Sequence, residues 1–152
     1  MSHTVKFSAD VVRARIKALS ALQNMMDGST TIPINSDATP ALNQTIVFAF
    51  TRALMHLARY VSSYNMEPEN FYTDPSDLLM LEAQFNIPED YDVNWPVVVK
   101  VFEEFMANQV MAEILPSSHK SSSVYSSLAS ESLQALLDLF SFSTPIPRLK
   151  RY

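Results

Sequence analysis

Three histidines, sixteen carboxylates and a serine-rich segment supply the sequence's potential for acid–base, metal or nucleophilic chemistry, and their spacing argues against most of it. Of His3, His56 and His119, only His56 falls inside a firm helical pattern. None belongs to a Glu-x-x-His, His-Glu-x-x-His or His-x-His pair, so the helical di-metal and zinc-hydrolase arrangements are missing. The absence of cysteine removes disulfides, zinc-thiolate sites, iron–sulfur clusters and thiol nucleophiles together. A phosphate-cradling loop needs several glycines, and Gly28 is the single one here. The serines of 117–132 lack a nucleophile elbow for the same reason.

One stretch approaches a calcium loop. "DYDVNW" at 90–95 places Asp90, Asp92 and Asn94 at the first, third and fifth positions of an EF-hand, but Trp95 and Val101 stand where the turn glycine and the bidentate glutamate are required. The alternative is an acidic loop capping a helix that starts at Pro96. We therefore expect neither a metal nor an organic cofactor, and a non-enzymatic protein.

Two features point to partners. Thr45, Arg52, His56, Arg59 and Ser63 fall in one stripe at about 100° per residue if residues 40–64 form one helix, with Ile46, Phe50, Leu54, Leu57 and Val61 opposite. The stripe reads either as a solvated edge pairing within the chain, with Glu103 or Glu104, or as a contact surface for an acidic protein, which guanidinium forks on a rigid backbone suit. The second feature is the terminal "TPIPRLKRY" at 144–152. Pro145 and Pro147 deny it a helix, Arg148, Lys150 and Arg151 supply charge, and Ile146, Leu149 and Tyr152 supply apolar anchors. It reads as an extended arm docking on a neighbouring subunit, or else as a frayed end.

These residues need elements to hold them. The length of 152 residues is that of one domain. A single glycine disfavours two-residue hairpins, and Thr39-Pro40, Asp74-Pro75 and Asn94-Trp95-Pro96 read as helix starts. The expectation is an all-α, single-domain bundle of five helices at 8–26, 40–64, 75–85, 96–115 and 121–141, the second and fourth forming the core, with a domain over 1–143 and the arm over 144–152. The first helix should bury Val12, Ile16, Leu19, Leu22 and Met26; the last should turn Val124, Leu128, Ala135 and Leu139 to one face, with Tyr125, Leu136 and Phe140 beside it.

Charge separates along the chain: residues 1–65 balance at +3, 66–113 at -10 and 114–152 at +2, within a total of -5. Copies with unlike faces could stack, whereas the acidic total disfavours nucleic acid as a direct partner. No signal peptide is legible in "MSHTVKFSADVVRARIKAL", and the apolar run at 45–50 is far too short for a bilayer. The expectation is a soluble chain, in the cytoplasm or within an assembled particle, contacting copies of itself and neighbouring subunits. In size, helix content and terminal arm it is loosely similar to head–tail connector adaptors of tailed phages, which implies an oligomeric assembly subunit such as a ring or connector component of a viral particle. The alternative is a small helical adaptor binding an acidic protein through Arg52, His56 and Arg59.

Overall fold

The computed structural model describes residues 2–28, 39–67, 80–88, 92–116 and 118–141, and of residues 39–41, 67 and 141 only the backbone. The elements run β1 (Ser2–Ser8), α1 (Ala9–Asp27), α2 (Thr39–His56), β2 (Val61–Glu67), β3 (Met80–Asn86), α3 (Trp95–Ile114) and α4 (Ser122–Ser141). The all-α expectation is overturned: among the described residues four helices pack with a three-stranded antiparallel sheet of order β1-β3-β2. The helix expected over 40–64 stops at His56 and its last residues become β2; the helix expected over 75–85 is replaced, from Met80 onward, by β3.

Both departures have a local cause. In β3, Leu81, Ala83 and Phe85 are buried while Glu82, Gln84 and Asn86 alternate with them toward the open side, the period of two that a half-buried strand requires. At the end of α2 the ladder loosens into a turn, with Tyr60 N–H donating to Leu57 O at 2.9 Å. Asn86 N–H then reaches Tyr60 O at 2.7 Å, and the Tyr60 ring stacks on Phe140 with centroids 5.2 Å apart. This tertiary docking captures the backbone before another helical turn can form.

β1 passes into α1 without a loop. Ser8 ends the strand and caps the helix, its hydroxyl accepting from Val11 N–H at 3.3 Å, while its own N–H donates to Glu103 Oε2 on α3 at 3.0 Å. Gly28 closes α1 in the left-handed region at φ 69°, where a side chain is disfavoured.

α3 is the hub, packing against α4, α1, α2 and β1. Asn94 caps it, its Oδ1 accepting from Val97 N–H at 3.5 Å, while Asp90 of the calcium-like stretch lies outside the described residues. Phe102 on α3, Phe7 on β1 and Phe50 on α2 meet in one aromatic cluster, and each is buried. A second aromatic series, Tyr60, Phe140, Phe85 and Trp95, ties the turn, α4, the central strand and the start of α3.

Two helices are rotated from their expected faces. α1 buries Val12 and Ile16 as expected, but also Arg13, Ser20 and Gln23, leaving Leu22 and Met26 exposed. α4 buries Tyr125, Ala129, Leu136 and Phe140, while Val124 and Leu128 face outward. The buried Arg13 donates to Asn43 Oδ1 at 2.8 Å and pairs with Asp10. Asn43 is thereby enclosed within the α1–α2 contact, which closes the sequon Asn43-Gln44-Thr45 to modification in the folded chain.

Candidate partner-binding groove

Because α2 turns back into β2 through Leu57–Tyr60, the two elements diverge and leave a groove of about 510 Å³ between the helix flank and the strand. Leu54, Met55 and Ala58 line one wall, and Val61, Ser63 and Tyr64 the other. Met55 and Tyr64 are largely exposed, at 72% and 56%, so the apolar lining faces solvent. A second hollow of about 420 Å³, lined by Phe48, Arg52, Met55, His56 and Glu113, adjoins the first through the shared residues Thr51 and Met55.

β2 lies at an edge of the sheet. Asn65 Oδ1 accepts from Met66 N–H at 2.9 Å, which marks that N–H as pointing away from β3. Backbone groups alternate sides along an antiparallel strand, so Tyr64 also directs its N–H and C=O outward. The irregularity between Val61 and Ser63 confines regular pairing to the later residues of β2, and the Asn65 side chain guards the edge in the way native sheets do.

The expected basic stripe is divided. Arg52 and His56 stay together as exposed neighbours on α2, whereas Arg59 leaves with the turn and lies 5.8 Å from the centroid of the Tyr60 ring; Ser63 moves onto β2. Arg52 Nη1 lies 4.0 Å from Glu113 Oε1 rather than near Glu103 or Glu104, and Glu104 is met instead by Arg15 at 4.0 Å. Exposed pairs of this kind contribute about 0–1 kcal/mol, so an incoming carboxylate can recruit the Arg52 guanidinium at little cost. Ile146, Arg148, Leu149, Lys150, Arg151 and Tyr152 lie outside the described residues.

Phe48, Met55 and Tyr64 were not singled out by sequence. Their signal was the near-continuous apolar circumference of the 40–64 segment, which one core could not cover on every side.

Elsewhere, one His–Asp pair has the composition of an acid–base unit. His119 Nε2 and Asp27 Oδ2 are 2.9 Å apart, but His119 Nδ1 accepts from Ser121 N–H at 3.0 Å. With one nitrogen bonded to backbone and the other to a carboxylate, the imidazole has no free position for a substrate proton. Gln23 extends the set, donating to Asp27 Oδ1 at 3.1 Å and facing the Tyr125 hydroxyl at 3.5 Å. Burial, with the nearby Asp27 charge, pushes the Tyr125 phenol upward. The cluster clips the end of α1 to the α3–α4 connection. Among the described residues, no group of three or more His, Asp or Glu is placed to hold a metal ion, and no helix is long and apolar enough to cross a membrane.

No family model, curated protein or solved structure matches this chain. The groove's geometry and chemistry therefore carry the functional reading.

Proposed function

We propose that this chain is a non-catalytic protein-interaction module that receives an extended segment of a partner protein along the edge of β2. The observation carrying this reading is the apolar groove between α2 and an edge strand. A strand added at Tyr64 gains main-chain hydrogen bonds from the edge, displaces Asn65 Oδ1 from Met66 N–H to extend the pairing, and places alternate side chains against Leu54, Met55 and Ala58, the division of labour in β-strand addition. Arg52 and His56 beside the groove favour an acidic residue in the bound segment. This is the adaptor alternative, recast on a strand edge. The resemblance to connector adaptors rests on size, helix content and terminal arm, of which the sheet alters the second; an assembly role for the terminal arm stays a separate proposal, resting on sequence alone.

The test is to pan a displayed library of random peptides against the immobilised chain and map the selected peptides by amide chemical shifts. Binders should combine alternating apolar positions with acidic residues and perturb Ser63–Met66 together with the α2 flank. Ala58→Trp, which fills the groove from an exposed position, should weaken them at least about tenfold, or by 1.4 kcal/mol, and Arg52→Glu should reduce their salt dependence. Binders that perturb another surface, or ignore Ala58→Trp, overturn the reading.

A further inference from the structure

The chain delivers one of its own segments to the mouth of the groove between α2 and β2. α4 ends at Ser141, and the residue before it, Phe140, stacks on Tyr60, which directly precedes Val61 in the groove wall. The chain therefore leaves α4 beside the end of the groove from which β2 departs. Residues 142–152 follow, outside the described residues. These eleven residues can reach at most about 36 Å, against roughly 13 Å of edge from Val61 to Tyr64.

We propose that residues 144–150 lie along this groove as a fourth strand of the sheet, parallel to β2, with Pro147 opposite Tyr64. The inference rests on the reading of the β2 edge as a strand acceptor, and it gives the arm a receiver in its own chain instead of on a neighbouring subunit. The exit point sets the direction, because a chain that starts beside Tyr60 and follows the edge runs the same way as β2. The prolines set the phase. A proline has no N–H to give, so within a sheet it sits where that side of an edge strand faces solvent. Pro145 and Pro147 alternate with Ile146 and Arg148. With both prolines facing outward, Ile146 C=O accepts from Tyr64 N–H and Arg148 N–H donates to Tyr64 C=O.

Side-chain placement follows from the same phase. Tyr64 and Met66 stand opposite the buried Ala83 and Leu81, on the helix side of the sheet, and direct their backbone groups away from β3. A strand parallel to β2 repeats that relation, so its outward-bonding residues Pro145, Pro147 and Leu149 carry their side chains on the helix side, toward Leu54, Met55 and Ala58. Ile146, Arg148 and Lys150 fall on the open face. There Arg148 lies opposite Asn65, whose own partner in register is Glu82, beside a hollow of about 130 Å³ lined by Ser63, Asn65, Glu82 and Gln84. The antiparallel direction would turn Arg148 and Lys150 into the apolar groove, and a shift of two residues would carry Pro147 past its walls to Met66. The contact is small, but a short tether supplies an effective concentration of the order of mM. Arg52 and His56 do not favour this basic segment, so an acidic strand from a partner displaces it. The arm is a resident competitor that also shields the apolar edge.

Amide hydrogen exchange on the full chain tests this. Tyr64 N–H should exchange slowly, and Arg148→Pro, which removes the N–H facing β2, should speed that exchange at least about tenfold. Leu149→Pro removes only an outward N–H and should leave Tyr64 protected. Protection should not depend on protein concentration, because the arm acts on its own chain. Fast exchange at Tyr64 in the parent, equal effects of the two proline variants, or protection that rises with concentration overturns the proposal. The partner reading fails separately. A peptide selected on the chain should bind Arg148→Pro at least about threefold more tightly than the parent, since the competitor is removed. Protection at Tyr64 that is lost in Arg148→Pro, with no peptide binder found, keeps the fourth strand and discards the partner. Peptide binding that Arg148→Pro leaves unchanged, with fast exchange at Tyr64, keeps the partner and discards the fourth strand.

Discussion

The ring of Phe7 stacks on that of Phe102 with centroids 4.2 Å apart and planes inclined by 29°, joining an edge strand to the central helix. Phe50 meets both from α2. Phe102→Ala and Phe50→Ala should each destabilise the fold by about 3–5 kcal/mol, as large-to-small changes in packed cores do. Urea midpoints at constant slope measure this, and losses below about 1 kcal/mol at both sites would contradict the packing described.

The His119–Asp27 contact is expected to be structural and coupled. Both side chains are 14% exposed, so His119→Ala should strand part of the Asp27 hydrogen-bonding capacity and cost about 1–3 kcal/mol. In a double-mutant cycle with Asp27→Asn the two changes should be non-additive by at least ~0.5 kcal/mol. Strict additivity would remove the clip between α1 and the start of α4.

Glu103 gives a pH dependence with a definite sign. Burial pushes its carboxyl above the ordinary value of 4.5, opposed by the Ser8 N–H bond. The folded chain therefore keeps this proton at pH values where the unfolded chain has released it. Its contribution to stability is fully favourable below 4.5 and declines as pH rises from there through the folded value. Glu103→Gln keeps an oxygen for Ser8 N–H while removing the charge, so it should flatten this segment of the stability curve and be no less stable than the parent at neutral pH. An unchanged slope in denaturation midpoints across the acidic range would refute it.

Gly28 has open space around a would-be Cβ but a φ of +69°. Gly28→Ala should cost about 1–2 kcal/mol through backbone conformation alone, and Gly28→Asn, which tolerates that region, should cost less. Thermal midpoints of the two variants should follow that order.

What could be read from sequence follows the strength of each local period. α1, α3 and α4 carry helical spacing and caps over many turns, and their positions match closely. β3 was also legible, since Leu81, Ala83 and Phe85 alternate with Glu82, Gln84 and Asn86, but the leucines just before it and Asp74-Pro75 suggested a helix. β1 offers only Val5 and Phe7 as its alternating pair. The end of α2 was hidden in principle, because the apolar spacing from Ile46 continues through Val61; it is the docking of Tyr60 on Asn86 and Phe140 that stops the helix. Sparse glycine excluded tight hairpins and was mistaken for evidence against a sheet, whereas the paired strands here are joined by longer stretches of chain. Of the site, Arg52 and His56 could be placed on a helix; the groove could not, because its other wall is β2.

The register of the sheet also bears on the order in which the chain acquires structure. Val5 sits opposite Ala83 and Phe7 opposite Leu81, so the first strand to be synthesised finds its neighbour only after more than half of the polypeptide has been made. α3 and α4, by contrast, contact each other across a short connection. Contacts so distant in sequence carry a loop-closure cost that slows their formation. The paired helices are free to associate early in refolding, and seating β1 beside β3 becomes the late, topology-limited event.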